Sequence, residues 1–183
     1  MARQTKKTED TSLQVENVEV ENENDYSPEN DPIYALRMDD KITIKNLASW
    51  TVGFRKIDSV GEVTIQAGGT ARLSRGEVVA QAENGNKLIA GLDGMGSHAT
   101  IQINDEATKR YLGWTNQLII SKALVKEIFN EKDEDVYKQR MSDLTQTRCE
   151  REYIKQVINK EGLENTIPYG RIKYALDLCK MRF

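Results

Sequence analysis

The chain has 183 residues, of which 38% are hydrophobic and 30% are charged, and its formal net charge is −3. A net charge this close to zero gives the whole molecule no strong electrostatic preference for nucleic acid. No apolar run approaches the roughly 18 residues of a membrane-spanning helix, and no apolar segment follows the basic N-terminus, so neither a membrane anchor nor a signal peptide is expected. The length fits one domain with attachments or two small domains.

Residues 1–32 are predicted to form a disordered or extended acidic arm. From residue 9 to residue 31 every side chain that is charged at neutral pH is acidic: Glu9, Asp10, Glu16, Glu19, Glu21, Glu23, Asp25, Glu29 and Asp31. Few apolar residues accompany them, so burial cannot offset the entropy lost on ordering.

Two interpretations of this arm stay open. It is a solubilising tail, or it becomes ordered along a partner as an added β-strand. The alternation Val18-Glu19-Val20-Glu21 fits a strand, whose side chains point to opposite faces in turn. In the second interpretation the partner-binding residues are Leu13, Val15, Val18 and Val20.

Residues 33–114 are predicted to form an antiparallel β-sandwich or small barrel. Short runs of alternating apolar and polar residues are separated by turns that contain glycine or asparagine. The expected strands cover residues 41–45, 51–57, 61–67, 70–75, 77–82, 87–92 and 98–104. The alternation places Val63, Ile65, Ile101 and Ile103 in the core. Asn84-Gly85-Asn86 favours a tight hairpin turn.

The glycine-rich loop 91–98 contains three residue types that also occur in hydrolases. Asp93, Ser97 and His98 are neighbours in sequence, however, whereas the members of a catalytic triad usually come from separate elements. The glycines do not open a helix after a parallel strand, so neither dinucleotide nor P-loop geometry is indicated. We therefore predict a structural loop that contacts another chain. Its predicted partner-binding residues are Asp93, Gly94, Met95 and Gly96.

Residues 115–183 show helical periodicity and are predicted to form a bundle of short helices, which makes the whole chain α+β. Before this bundle, Asp105 is expected to cap a short helix that ends at Gly113. Thr147 and Glu150 have the spacing of a capping box, and their helix is expected to stop at Gly162. The last helix is expected to begin at Pro168 and to bury Tyr169, Ile172, Leu176 and Cys179.

The residues that commonly bind metals or cofactors do not cluster in this sequence. Cys149 and Cys179 are far from the single histidine, His98, and show no zinc-ligand spacing. Buried thiols in a reducing compartment are favoured over a Cys149–Cys179 disulfide. No paired carboxylates and no nucleophile with a plausible base are recognised, so we predict a protein that is not an enzyme and needs no metal or cofactor.

The β-rich part of the chain contains the run GEVTIQAGGTARLSRGEVVAQAENGNKLIAGLDGMGSHATIQINDEATKRYLGW. This run resembles accessory virion proteins of tailed bacteriophages, in which extensions decorate a small β-domain, and the resemblance covers about residues 41–114. It implies a capsid-associated or head–tail role and transfers no specific functional residue. A rigid body with an arm also suits an assembly protein.

The resulting hypothesis is a non-enzymatic structural protein of a phage virion, made in the host cytoplasm and docking on the capsid or neck. Its partners would be other virion proteins, with this chain present as a homo-oligomer or in several copies. The alternative is a DNA-binding regulator that uses the basic last helix, with Arg171, Lys173, Lys180 and Arg182. Acidic residues are mixed with the basic ones elsewhere, so nucleic-acid binding is not favoured. A hydrolase working at residues 93–98 is a third, less favoured hypothesis.

Overall fold

A computed structural model describes residues 36–180, which contain five β-strands and seven α-helices. The strands are β1 Lys41–Asn46, β2 Val52–Arg55, β3 Glu62–Ile65, β4 Thr70–Ser74 and β5 Ile101–Ile103. The helices are α1 Arg75–Glu83, α2 Lys87–Ala90, α3 Glu106–Tyr111, α4 Lys122–Phe129, α5 Glu134–Asp143, α6 Arg148–Glu161 and α7 Tyr169–Lys180. A 3₁₀ turn, Leu163–Asn165, connects α6 to α7.

The strands form two small antiparallel sheets. β1 is the central strand of the first sheet, whose order is β4-β1-β5, and β2 pairs with β3 in the second. Ile42 and Ile44 of β1 are buried, as are Ile101 and Ile103 of β5, so the predicted alternation in these strands is confirmed. The mixture of helices and antiparallel strands is confirmed too. Within residues 36–180, however, the strands are not seen to form a sandwich or a closed barrel.

The prediction of strands at residues 77–82 and 87–92 is wrong. Residues 77–82 belong to α1, and residues 87–90 form α2. Ser74 is the N-cap of α1, and its hydroxyl accepts a hydrogen bond from the Glu77 N–H at 3.4 Å. Alanine, glutamate and glutamine favour helices, and the cap supplies the missing acceptor at the first turn. Local helix signals therefore prevail over the apparent alternation.

The predicted hairpin at Asn84-Gly85-Asn86 is wrong for the same reason. Asn84 is the C-cap of α1, and Asn86 is the N-cap of α2, where its side chain accepts a hydrogen bond from the Leu88 N–H. Gly85 has a φ of 69°, which suits the tight connection between them. Asn-Gly thus joins two helices here.

A buried asparagine links the two sheets. Asn46, at the end of β1, is 0% exposed. Its Nδ2 donates to the carbonyls of Trp50 at 2.8 Å, Ile65 at 3.2 Å and Gln66 at 3.0 Å, and its Oδ1 accepts from the Ala48 N–H at 2.9 Å. Because every polar atom of the amide has a partner, the cost of burying it is offset.

A buried glutamate connects α1 to the β2–β3 hairpin. The Glu77 carboxylate accepts hydrogen bonds from the N–H groups of Ile57 at 2.8 Å and Asp58 at 2.9 Å. It also accepts one from Gln81, which donates in turn to the Arg55 carbonyl. Burial raises the pKa of the Glu77 carboxyl, but these hydrogen bonds outweigh it, and the pKa lies below its ordinary value of 4.5. The charged form is therefore the one that holds the hairpin.

The helix boundaries in the C-terminal part follow their capping residues. Asp105 caps α3, and Thr147 forms a capping box with Glu150 at the start of α6, as predicted. Gly162 ends α6 with a φ of 61°, which also agrees with the sequence. α4 begins at Lys122, because Ser121 provides its N-cap.

The last helix buries most of the predicted residues but not its first. Ile172 and Cys179 are buried, and Leu176 is partly buried. Tyr169 was expected inside and is 79% exposed, so that prediction is wrong. Its place in the first turn of α7 puts it at the periphery, where periodicity alone does not guarantee a packing partner.

One continuous hydrophobic core extends from Ile42 to Cys179 and includes residues of both sheets and of the helices. The predicted division of the chain at residues 114 and 115 stays a prediction.

Cys149 and Cys179 are free and buried, and burial raises the pKa of their thiols to about 12 and about 11, respectively. No helix in the described part of the chain has the length and hydrophobicity to cross a membrane.

Candidate functional site: the loop 91–98

The loop 91–98 connects α2 to the segment that leads into β5, and it closes on itself through backbone hydrogen bonds. The Leu92 N–H donates to the Ser97 carbonyl at 3.0 Å, and the Gly96 N–H donates to the Ala90 carbonyl at 2.7 Å. The Asp93 carboxylate accepts from the N–H groups of Met95 at 2.8 Å and Ser97 at 3.1 Å. The loop is therefore fixed by its own polar contacts.

The ionisation of Asp93 reflects these contacts. Burial raises the pKa of its carboxyl, but the hydrogen bonds from Met95 and Ser97 outweigh it, and the pKa lies below its ordinary value. The side chain is thus an anionic cap for the turn. It is engaged with backbone groups of its own loop.

Two glycines allow the loop to pack closely. A Cβ on Gly91 would lie 1.9 Å from the Ser97 carbonyl oxygen, and Gly91 has a φ of 72°. A Cβ on Gly96 would lie 2.7 Å from Cε3 of the buried Trp114 and 2.3 Å from Nε2 of Gln117. These positions need glycine because any side chain would collide with neighbouring atoms.

Two apolar side chains of this closed loop are exposed to solvent. Leu92 is 55% exposed and Met95 is 53% exposed. Methionine is flexible and polarisable, which suits a contact surface. Of the predicted partner-binding residues in this loop, Met95 is available for contact, whereas Asp93 and Gly96 hold the turn. Gly94 is exposed, and a Cβ there would meet nothing within 4 Å.

The other predicted partner-binding residues, Leu13, Val15, Val18 and Val20, lie outside the described residues. Their role stays a prediction.

His98 pairs with a buried glutamate from the helical part of the chain. Its Nδ1 lies 2.7 Å from Oε1 of Glu150, which is 1% exposed. The other oxygen, Oε2, accepts from the Thr147 N–H at 2.8 Å and from the Thr147 hydroxyl at 2.9 Å. One carboxylate therefore caps α6 and fixes the loop at the same time.

The backbone around His98 is held from a second direction. His98 has a φ of 61°, a conformation that non-glycine residues seldom adopt. Its N–H donates to the Leu118 carbonyl at 2.9 Å, and the Leu118 N–H donates to the Ser97 hydroxyl at 3.1 Å. These contacts offset the conformational cost and attach the loop to residues that precede α4.

An open depression of about 520 Å³ lies beside this pair. It is lined by Leu92, Asp93, Ser97, His98, Leu118, Asp143 and Gln146. Asp93, Ser97 and His98 are brought to one place, but they do not form the hydrogen-bonded chain of a hydrolytic triad, since His98 bonds to Glu150 and Asp93 bonds within the turn. Among residues 36–180, no group of three histidine, cysteine or carboxylate side chains is arranged to hold a metal ion.

The contact between His98 and Glu150 could not be predicted from the sequence. Thr147 and Glu150 revealed the capping box, but the partner of the second carboxylate oxygen is 52 residues away. No local pattern signals such a contact.

The basic last helix is partly committed to the fold. Arg171 bonds to Glu134 through Nε at 3.0 Å and to the carbonyls of Phe129 and Glu131 through Nη1. Lys180 lies 3.1 Å from Asp177. Lys173 is exposed, and Arg182 lies outside the described residues. The cationic surface of α7 is therefore smaller than its sequence indicates.

Comparison of the chain with protein-family models, with curated proteins and with solved structures finds no match.

Proposed function

We propose that this protein is a non-enzymatic structural protein of a tailed-phage virion. It docks on the capsid or the head–tail region through residues 33–114 and its N-terminal arm. The observation that carries the proposal is the pair of exposed apolar side chains, Leu92 and Met95, on a loop closed by hydrogen bonds. An exposed apolar contact on a loop held by hydrogen bonds loses little backbone entropy on binding, which favours association with a fixed partner surface.

The surroundings of His98 support a structural role for this loop. Its Nδ1 is engaged by Glu150, whose other oxygen caps α6. The same contacts that make the loop rigid place Met95 at a fixed distance from the core. The resemblance of residues 41–114 to accessory virion proteins gives the biological setting of the proposal.

The first experiment is mass spectrometry of particles purified from a lysate of the phage that encodes this chain. We expect the protein to co-purify with the particles in several copies and to remain attached at moderate salt. Absence from purified particles would contradict the proposal. Binding of the protein to duplex DNA with a steep salt dependence would instead favour the regulator that uses α7.

A second experiment tests the loop directly. Met95→Ser combined with Leu92→Ser should reduce incorporation into particles, because the apolar contact is lost. Val60→Ser is the matched control, since Val60 is an exposed apolar residue on the β2–β3 turn. Equal incorporation of both variants would show that the loop is not the docking element.

The arm is tested by deletion of residues 1–31 and by replacing Val15, Val18 and Val20 with serine. Both changes should weaken incorporation, and the second keeps the charge of the arm, which separates strand addition from electrostatic attraction. Full incorporation of the deletion variant would leave the arm as a solubilising tail. His98→Ala tests the hydrolase hypothesis. Hydrolysis of an ester or peptide probe by the unmodified protein, abolished in this variant with an unchanged fold, would favour catalysis over docking, whereas reduced incorporation alone would follow from loss of the contact between His98 and Glu150.

A further inference from the structure

The outer face of the three-stranded sheet is polar and positively charged. Along β1 the inward residues Ile42 and Ile44 alternate with Lys41, Thr43 and Lys45, which point outward. The register places Thr43 opposite Arg72 of β4 and Lys45 opposite Thr70 and Gln102. Lys41, Lys45 and Arg72 are all exposed. We call these seven residues the basic face: Lys41, Thr43, Lys45, Thr70, Arg72, Ser74 and Gln102.

The cations of the basic face have no carboxylate partner among residues 36–180. No salt bridge in that range includes Lys41, Lys45 or Arg72, and the side-chain bond of Arg72 is to the Lys41 carbonyl. The two nearest carboxylates in sequence are already engaged. Asp39 pairs with Arg37, and Asp40 pairs with the buried Arg75.

The N-terminal arm supplies the complementary charges in a matching pattern. Glu19, Glu21, Glu23 and Asp25 occupy alternate positions, and the arm has no lysine or arginine between residues 9 and 31. In an extended chain their carboxylates lie on one side, about 6.6 Å apart. Lys41 and Lys45 are four residues apart on one strand, which is about 13 Å, or twice that spacing. The spacing of the carboxylates in an extended arm therefore matches the spacing of the two lysines on β1.

The described chain reaches this face a few residues after it begins. The described chain begins at residue 36, and β1 starts at Lys41. The fifteen residues between Asp25 and Lys41 can span at most about 50 Å, whereas the six residues of β1 extend about 20 Å. A short tether gives the arm an effective concentration on the order of millimolar at its own sheet.

We propose that the acidic segment Glu19–Asp25 binds the basic face of its own chain. The four carboxylates contact Lys41, Lys45 and Arg72, and the attraction is electrostatic and weakened by salt. Val18 and Val20 then lie on the opposite side of the extended segment, where they are presented to a partner. The proposal concerns the free chain and does not require the virion role.

The test uses the full chain with a spin label on Asn22→Cys. Position 22 lies between two of the carboxylates and leaves them unchanged, and the native Cys149 and Cys179 are buried. A sample without Asn22→Cys, treated with the same reagent, shows any labelling of the native thiols. We expect the label to broaden the amide signals of Thr43, Arg72 and Gln102, and we expect this loss of peak intensity to disappear at about 1 M salt, where the Debye length is about 3 Å.

Charge variants with matched controls identify the contact. K41E/K45E/R72E should abolish the broadening, whereas K87E/K132E/K173E makes the same change in net charge at exposed lysines outside the basic face and should preserve it. Adding E19K/E21K/E23K to the first variant should restore the broadening by exchanging the two charges. No broadening in the unmodified chain, or equal broadening in the first variant, would overturn the proposal.

A mixed sample separates the own chain from a second copy. Spin-labelled chains without ¹⁵N are combined with ¹⁵N-labelled chains that carry no spin label. Absence of broadening in this mixture supports binding within one chain. If the broadening is as strong as in chains that carry both the spin label and ¹⁵N, the acidic segment binds a second copy, and the proposal is overturned. Because the readout is on the isolated protein, its failure is distinct from failure of the virion hypothesis.

Discussion

At the scale of single residues, two buried carboxylates and two glycines hold the loop 91–98 and the β2–β3 hairpin in place. Glu77 uses both carboxylate oxygens to hold the β2–β3 hairpin against α1. Glu150 caps α6 with one oxygen and contacts His98, 52 residues away, with the other. Gly91 and Gly96 permit close approach of the loop 91–98 to its neighbours. These residues explain why the loop and the hairpin are ordered, and two predictions follow from their geometry.

We expect Gly91→Ala to destabilise the protein more than Gly94→Ala does. Both glycines have positive φ, at 72° and 75°, so alanine is strained at either position. A Cβ on Gly91 would also collide with the Ser97 carbonyl oxygen, whereas a Cβ on Gly94 would meet nothing within 4 Å. The difference in the free energy of unfolding should be about 1–3 kcal/mol, measured by urea denaturation. Equal losses would mean that the loop is free to move away from the clash.

The stability of the protein should fall in acid partly through Glu77. Its pKa lies below the ordinary value of 4.5, so its contribution is fully present above about pH 4.5 and is lost as the pH falls through the folded-state pKa. Glu77→Gln should therefore flatten the decrease in stability below that pH. Glu83→Gln, at an exposed position of the same helix, is the control. Thermal unfolding measured from pH 6 to pH 3 tests this. If both variants lost stability with pH as the unmodified protein does, Glu77 would not contribute to the loss in acid.

At the scale of secondary-structure elements, burial on one face determines which strands hold the core. β5 has only three residues, yet Ile101 and Ile103 are 1% and 2% exposed and both belong to the hydrophobic core. β5 pairs with the central strand β1, where Ile44 lies opposite Ile103. A strand this short depends on side-chain burial more than on its few ladder hydrogen bonds.

Ile103→Ala should lower the free energy of unfolding by about 2–5 kcal/mol, because a buried branched side chain is replaced and a cavity remains. Gln102→Ala, on the opposite face of the same strand, should change it by about 0.5 kcal/mol or less. Chemical denaturation followed by circular dichroism measures both values. Unchanged stability of the Ile103 variant would show that the strand register is different.

At the scale of the whole molecule, the β-rich and helical parts are joined by specific contacts and not by sequence continuity alone. His98 pairs with Glu150, and the Arg148 guanidinium lies 4.6 Å from the centre of the Trp50 ring. The hydrophobic core is continuous across the predicted boundary at residue 114. These contacts favour one cooperative unit over two independent ones.

We therefore expect the two parts to unfold together. Far-ultraviolet circular dichroism, dominated by the helices, and fluorescence of Trp50 and Trp114 should give the same urea midpoint. Glu150→Ala should lower both midpoints equally, since His98 and the start of α6 lose their shared partner. The corresponding loss in the free energy of unfolding should be about 1–3 kcal/mol. Glu164→Ala, at an exposed position, should leave them unchanged. Separate midpoints would indicate two independently folding units.

Features that depend on near neighbours in the chain could be predicted from the sequence. The capping box of Thr147 and Glu150, the cap at Asp105, the end of α6 at Gly162 and the inward side of β5 follow from local hydrogen bonds and from side-chain alternation. The Ser74-to-Glu77 spacing also carried a helix signal, which the alternating pattern around it obscured.

The packing of these elements and the pairing of their polar groups depend on long-range contacts, which no local pattern encodes. The partner of His98 is 52 residues away, and the amide of Asn46 bonds to a carbonyl 20 residues away, so neither contact has a local signature. The exposure of Tyr169 has no local signature either. The cations of β1 and β4 share one face only because the two strands pair. Periodicity states which side of an element is apolar, whereas long-range packing determines what that side and its opposite contact.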